Sequence, residues 1–242
     1  MRLDVYIVRT GMLRSRTLAK EYIENGFVSV NGKTATKPSF DVSGTDAVDV
    51  TAPLPRFVSR GGEKLEAALE AFGIDVRNKV CCDVGASTGG FTDCLLKHGA
   101  LRVYAIDSGT GQIDPELADD PRVVSIENFN ARELTPEVTG GFCDVTTVDV
   151  SFISQTLIIP AALSVLKTGG EYVGLIKPQF ECGRSGLGKG GIVKDRAVRE
   201  EAVRFVSDFA RENGLEVRGI TTSPLTGGDG NTEYLMYGIK IR

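Results

Sequence analysis

A chain of 242 residues, 41% apolar and 25% charged, has an ordinary globular composition, which excludes wholesale disorder and collagen-like repeats. No run approaches the roughly 18 apolar residues of a membrane helix, and Met1-Arg2-Leu3-Asp4-Val5-Tyr6 lacks the apolar core of a secretory signal, so a cytoplasmic protein without a membrane partner is expected. The net charge of −4 hides an asymmetry: residues 1–64 carry 10 Lys and Arg against 7 Asp and Glu, while residues 65–242 carry 18 against 25.

The front end reads as two short helices and a small sheet. Leu3, Tyr6 and Ile7 recur at helical spacing before Gly11. Ser15 is an N-cap for a second helix that presents Leu18, Tyr22 and Ile23 and ends at Gly26. Phe27, Val28 and Val30 then run into Asn31-Gly32, a hairpin signal. Arg2, Arg14, Arg16, Lys20 and Lys33 make this front end a candidate holder of a polyanion, with Arg14, Arg16 and Lys20 on or beside the second helix. Thr51-Ala52-Pro53-Leu54-Pro55 interrupts the pattern, giving a small domain over 1–50, a linker over 51–58 and a body over 59–242.

In the body, Leu65, Ala68, Leu69 and Phe72 mark a helix closed by Gly73. Apolar strand candidates follow at 79–84, 102–107, 122–126, 143–150, 171–177, 215–223 and 232–241, with helices at 90–98, 154–167 and 194–213. Strand–helix alternation predicts an α/β fold, a mostly parallel sheet with helices on both faces. The short connection from Pro224 to Asn231 predicts that the last two strands pair antiparallel at one edge.

Cys81, Cys82, Cys94, Cys143 and Cys182 are odd in number and form no C-x-x-C pair, so neither a zinc site nor a disulfide framework is expected. Asp83-Val84-Gly85-Ala86-Ser87-Thr88-Gly89-Gly90-Phe91 reads as a strand end, a tight turn and a helix start. Ser87 stands where a dinucleotide fingerprint needs its middle glycine. The same residues spell a hydrolase nucleophile elbow, but the single histidine, His98, closes the very next helix, so the order Ser, acid, His is not met. A nucleoside cofactor across the strand ends remains, with Asp107 placed to accept hydrogen bonds from ribose hydroxyls; S-adenosyl-L-methionine fits because it lacks phosphates. Gly183 to Gly190 matches G-x-x-x-x-G-K but lacks the hydroxyl that binds magnesium, so it reads as a basic loop near the site.

Lys64, Asp149, Lys177 and Glu233 each sit where an apolar pattern meets a loop. Charged groups at the carboxyl ends of parallel strands point into the cofactor crevice, which brings Asp149 and Lys177 toward Asp107. A lysine amine serves as general base only when neutral; burial and a second ammonium favour that form, while carboxylates oppose it and orient the group. Two lysines and two carboxylates therefore suit deprotonation of an alcohol, with no metal required.

The body resembles the TlyA (hemolysin-like) family of RNA methyltransferases, related to the FtsJ-like ribose 2′-O-methyltransferases. The motifs that carry the resemblance are Val58-Ser59-Arg60-Gly61-Gly62, Asp83 to Asp93, Asp149-Val150-Ser151-Phe152-Ile153-Ser154, Lys177-Pro178-Gln179-Phe180-Glu181 and Gly230-Asn231-Thr232-Glu233. The front end resembles the S-four RNA-binding module through Ser15-Arg16 and Val28-Ser29-Val30-Asn31-Gly32. The resemblance implies a Rossmann-like class I methyltransferase domain and a catalytic tetrad of Lys64, Asp149, Lys177 and Glu233. It also implies S-adenosyl-L-methionine contacts from Asp83, Gly85, Ser87, Gly89, Gly90, Phe91, Asp107 and Asn130. The implied reaction is methylation of a cytidine ribose 2′-hydroxyl in ribosomal RNA, with ribosomal RNA or subunits as the partner. The sequence departs from the family at Thr110, where a tyrosine is usual. The other readings are an RNA-binding protein that keeps the fold without catalysis and a secreted hemolysin, which the absence of an evident amphipathic lytic segment disfavours.

Overall fold

The computed structural model describes residues 1–242, the side chain of Arg184 excepted. It divides into two compact units, Met1–Arg56 and Phe57–Arg242.

The first unit contains α1 (Leu3–Arg9), α2 (Arg16–Glu24), β1 (Val28–Val30), β2 (Lys33–Thr34) and β3 (Val48–Val50). The Ser15 hydroxyl accepts the Leu18 amide at 3.2 Å, the N-cap that its sequence position suggested. Asn31 and Gly32 have φ of 51° and 74°, the left-handed pair of a tight hairpin turn, and β1 pairs antiparallel with β2. The sheet order is β2-β1-β3, and the helices bury Leu3, Ile7, Ala19 and Ile23 against Val28 and Val48.

The second unit opens with α3 (Gly61–Phe72), closed by Gly73 at φ 67°. Then follow β4 (Val80–Val84), α4 (Gly90–Lys97), β5 (Arg102–Ile106), α5 (Pro115–Ala118), β6 (Val123–Ile126) and β7 (Cys143–Val148). The chain ends with α6 (Ile159–Ser164), β8 (Leu166–Ile176), α7 (Pro178–Glu181), α8 (Arg196–Glu212), β9 (Leu215–Thr222) and β10 (Tyr234–Lys240). The seven-stranded sheet has the order β6-β5-β4-β7-β8-β10-β9. The strands from β4 to β8 pair parallel with one another; β10 pairs antiparallel with both β8 and β9. This is the Rossmann-like α/β arrangement expected from the strand–helix alternation.

Strand periodicity divides the core into two layers. Cys81, Val145, Val173 and Leu175 join α3 and α4 in one cluster, while Cys82, Val84, Tyr172 and Ile176 join α6 and α8 in the other. The sheet is thus buried on both faces, as parallel sheets require. The chain order reverses direction across the sheet at β4, so the loop after β4 opens at the topological switch point.

The predicted helix over 154–167 is not one element. Gln155–Leu157 is a 3-10 turn, α6 covers only Ile159–Ser164, and Leu166 pairs with Cys143 at the start of β8. Pro160 removes an amide donor, and pairing along the sheet claims the end of the apolar run. The short α5, capped by Asp114, and α7, begun by Pro178, are too brief to show a helical period. Among the described residues, no helix is long and apolar enough to cross a membrane.

Candidate active site

Three adjoining loops build the site at the carboxyl end of the sheet. After β4 the chain turns sharply: the amides of Gly85 and Ala86 donate to the Ile106 carbonyl at 2.8 and 3.0 Å. Gly85 has φ 86°, and a Cβ there would lie 2.3 Å from the Asp149 carbonyl oxygen, so only glycine lets the β4 and β7 loops approach this closely. At Gly90, a Cβ would meet the Ser59 hydroxyl at 2.2 Å, which brings the Ser59-Arg60-Gly61-Gly62 turn against the start of α4. These contacts aim the fourth residue of α3, Lys64, toward the strand ends.

Two ion pairs face the same space. Lys64 Nζ donates to Glu233 Oε2 at 2.5 Å, and both residues are buried, Glu233 with only 3% of its surface exposed. Lys177 Nζ lies 2.6 Å from Asp149 Oδ1 and donates to the Ser151 hydroxyl at 2.8 Å. Asp149 follows β7 and its amide donates to the Val84 carbonyl at 2.9 Å; Lys177 follows β8 and caps α7. The four charged residues therefore converge from α3, β7, β8 and β10, although Lys64 and Glu233 are 169 positions apart.

Three cavities share these walls. One of about 300 Å³ touches Lys64, Gly85, Ser87, Gly90, Phe91 and Lys177. A second, of about 420 Å³, extends from Asp149 past Asp107 to Asn130, with Phe129, Ile153 and Ile158 among its apolar lining. A third, of about 480 Å³, lies on the other side of Lys64, Lys177 and Glu233, against Phe152, Phe180 and Gly191. Ser151 borders all three.

Asp107 Oδ2 accepts the Ser87 amide at 2.7 Å and Oδ1 accepts the Gly109 amide at 2.7 Å. Each carboxylate oxygen keeps a lone pair for a further donor. Ser87 holds φ 49°, a left-handed conformation uncommon for serine. Glu127 gathers the amides of Gly111 and Gln112, which lowers its pKa and pins the loop that borders Asp107. Asn130 lines the cavity and its Oδ1 accepts the Arg132 amide at 3.2 Å, capping a 3-10 turn. Thr110 is exposed and borders none of the three cavities.

Two expected cofactor contacts lie elsewhere. Asp83 is fully buried beneath the turn, accepts the hydroxyls of Thr92 at 2.7 Å and Thr147 at 3.0 Å, and lines none of the three cavities. Burial raises its pKa to about 7 against the pull of those two hydroxyls. Gly89 also lines none of them; a Cβ there would lie 2.4 Å from Leu117, so it serves the packing of α5. Both residues shape the turn from behind.

Several site residues escaped assignment from the sequence although they stand inside its motifs. Ser151 holds Lys177. Glu181 accepts the Ser154 hydroxyl at 2.6 Å and the Gln155 amide at 2.8 Å, tying the loop after Asp149 to α7; burial raises its pKa. Between these anchors Phe152 is 91% exposed at φ 63°, a strained conformation for an aromatic residue, and its ring stands 5.2 Å from that of Phe180. Asn231 is buried, accepts the Val193 amide at 2.8 Å and donates to the Gly191 carbonyl at 3.0 Å. It thereby holds the glycine-rich basic loop against the third cavity.

In the first unit, Arg2, Arg14, Arg16, Lys20 and Lys33 are all exposed. Asp4 gathers two of them: it is fully buried and accepts from Arg2 at 2.9 and 3.3 Å and from Arg16 at 2.9 Å.

The chain matches the FtsJ-like methyltransferase family over residues 57–240 and the S4 domain over residues 1–48. It is 46% identical over 237 residues to the 16S/23S rRNA (cytidine-2′-O)-methyltransferase TlyA of Mycobacterium tuberculosis, covering 98% of this chain and 88% of that one. A solved structure of a provisionally named hemolysin from Streptococcus thermophilus is 40% identical, covers 100% of this chain and 88% of its own, and superimposes with a TM-score of 0.80. Fibrillarin from Aeropyrum pernix, solved with S-adenosyl-L-methionine, shares the fold at a TM-score of 0.51 and 16% identity, covering 74% of this chain and 76% of that one. The protein is a member of the FtsJ-like methyltransferase family, in its TlyA branch, with an S4 domain at its front end.

Proposed function

We propose that this protein transfers a methyl group from S-adenosyl-L-methionine to a cytidine ribose 2′-hydroxyl in ribosomal RNA. The observation that carries the reading is the convergence of the Lys64–Glu233 and Lys177–Asp149 pairs on the wall between two cavities. A methyl donor and an alcohol acceptor then meet at one set of charges. The nucleotide class and the RNA come from the relative named as a 16S/23S rRNA (cytidine-2′-O)-methyltransferase.

The cavity at Asp107 fits the cofactor's nucleoside. The free lone pairs of Asp107 suit two ribose hydroxyls, Phe129, Ile153 and Ile158 offer an apolar slot for a base, and no lysine or arginine lines it to demand a diphosphate. Gly85, Ser87, Gly90 and Phe91 border the adjoining space toward Lys177, where the amino-acid end belongs. When bound, the cofactor supplies an electrophilic methyl on a sulfonium centre.

Lys177 is the general base: once Nζ has released its own proton it takes the one on the 2′-hydroxyl, leaving the ribose oxygen as nucleophile. Asp149 and Ser151 fix where Nζ stands, and the Lys64–Glu233 pair holds the opposite wall. Positioning supplies most of the rate, because the two reacting groups enter from separate cavities already aligned. The exposed Arg2, Arg14, Arg16, Lys20 and Lys33 of the S4 domain hold the RNA backbone, and the protein works in the cytoplasm, where ribosomes are made.

Incubation of the full-length protein with labelled cofactor and unmodified ribosomal subunits tests this reading. Label is expected in RNA with wild type and absent with Lys177→Ala. A wild-type protein that binds the cofactor but labels no ribosomal RNA contradicts it.

A further inference from the structure

Resting on the reading of the first unit as an RNA-binding domain, we infer that Asp4 builds a two-arginine phosphate clamp and is a positioning residue for RNA. A carboxylate on a polyanion-binding face is unfavourable on charge alone. Asp4 is nevertheless fully buried directly beneath that face, with both oxygens occupied by guanidinium groups: Oδ1 by Arg2 Nε at 2.9 Å, and Oδ2 by Arg2 Nη2 at 3.3 Å and by Arg16 Nη2 at 2.9 Å. The side chains of the two arginines remain 49% and 56% exposed. Each guanidinium has five N–H donors, so donors are left over for an outside acceptor.

The backbone beneath the clamp is fixed. Arg2 bridges to Asp41, Leu3 donates to the Phe40 carbonyl at 2.7 Å and Val42 to the Met1 carbonyl at 2.8 Å, so the start of the chain does not fray. Arg16 is the first residue of α2, where the helix dipole disfavours a cation. Asp4, in the first turn of α1, supplies the compensating charge and brings the two helix starts together. Two long side chains that would otherwise lose rotamer freedom on binding are ordered in advance, with the N–H donors not taken by Asp4 left for an outside acceptor. The ligand chemistry that matches two adjacent half-exposed forks is a phosphodiester oxygen pair of an RNA backbone.

Point charge and preorganisation predict opposite results for Asp4→Asn. Removing one negative charge should tighten RNA binding if only net charge matters. Loss of the clamp should weaken it, by about tenfold for two freed arginines. Filter binding of full-length protein to transcribed ribosomal RNA, over a series of KCl concentrations, reads this directly. Arg16→Lys, at a side chain 56% exposed, keeps the charge and removes the fork; it should lose affinity several-fold and gives an answer even if Asp4→Asn unfolds the domain. Wild-type affinity in Arg16→Lys, or unchanged or tighter binding in a folded Asp4→Asn, overturns the clamp. Absence of RNA binding by wild type instead overturns the RNA reading on which the clamp rests.

Discussion

Lys177 Nζ stands 2.6 Å from Asp149 Oδ1 and 2.8 Å from the Ser151 hydroxyl, so the amine at the end of β8 is held by two groups from the loop after β7. A base held in this way is aimed before the substrate arrives, and aim is what a methyl transfer between two bound partners most requires. Lys177→Ala should lower kcat by roughly 10²–10⁴ while leaving RNA affinity unchanged. Lys177→Arg should be as inactive, because a guanidinium keeps its charge and does not accept a proton. Rates under saturating cofactor together with RNA binding check both statements.

Ser151 contributes one hydrogen bond to the same amine. Ser151→Ala should reduce kcat by about tenfold, the worth of one charge-assisted hydrogen bond, with little change in the KM for the cofactor. Ser151→Thr keeps the hydroxyl and should recover much of the loss. A purely structural role for Ser151 would show as a lower Tm and no rescue of rate.

The Lys64–Glu233 pair is the more deeply buried of the two. Glu233→Leu leaves a buried ammonium without its partner and should cost about 3–5 kcal/mol of stability. Lys64→Met combined with Glu233→Leu should recover most of that stability and remain inactive. Denaturant unfolding of the three proteins, beside their methyl-transfer rates, separates folding from catalysis.

Asp83 gives the fold a pH dependence of defined sign. Its carboxyl titrates near pH 7 in the folded protein because burial disfavours its charge, whereas an unfolded aspartate titrates near pH 4. The folded state therefore holds the extra proton between those values, and this residue removes stability as pH rises from about 4 to 7, by up to about 4 kcal/mol. Asp83→Asn should flatten that part of the stability curve, with its gain over wild type present at pH 8 and absent at pH 4. Urea midpoints at the two pH values provide the check; an equal effect at both would contradict the assignment.

Much of this architecture is legible in the sequence because local chemistry forces it. Ser15 before an apolar period, Asn31-Gly32 between strands, and Gly85 at a strand end each have few structural solutions, and the structure adopts them. The strand–helix alternation likewise leaves a parallel sheet as the economical arrangement, and the carboxyl ends of its strands then carry Asp107, Asp149 and Lys177 to one edge. What the sequence hides is pairing across distance. Nothing local says that Lys64 meets Glu233 and not Asp149, or that Ser151 turns back to Lys177. Asp83 shows the opposite limit: it stands in a cofactor motif, yet strand alternation turns its side chain inward to two threonines. The 154–167 segment misleads because apolar periodicity does not register that Leu166 is taken into the sheet.

The chemical position of the methyl group tests most directly whether this tetrad serves transfer to a ribose oxygen. Ribosomal RNA treated with the wild-type protein and S-adenosyl-L-methionine is digested to nucleosides and resolved by mass spectrometry. The proposed function predicts 2′-O-methylcytidine, absent from the Lys177→Ala reaction. Methyl on a base, or 2′-O-methylcytidine formed equally well without Lys177, would contradict it.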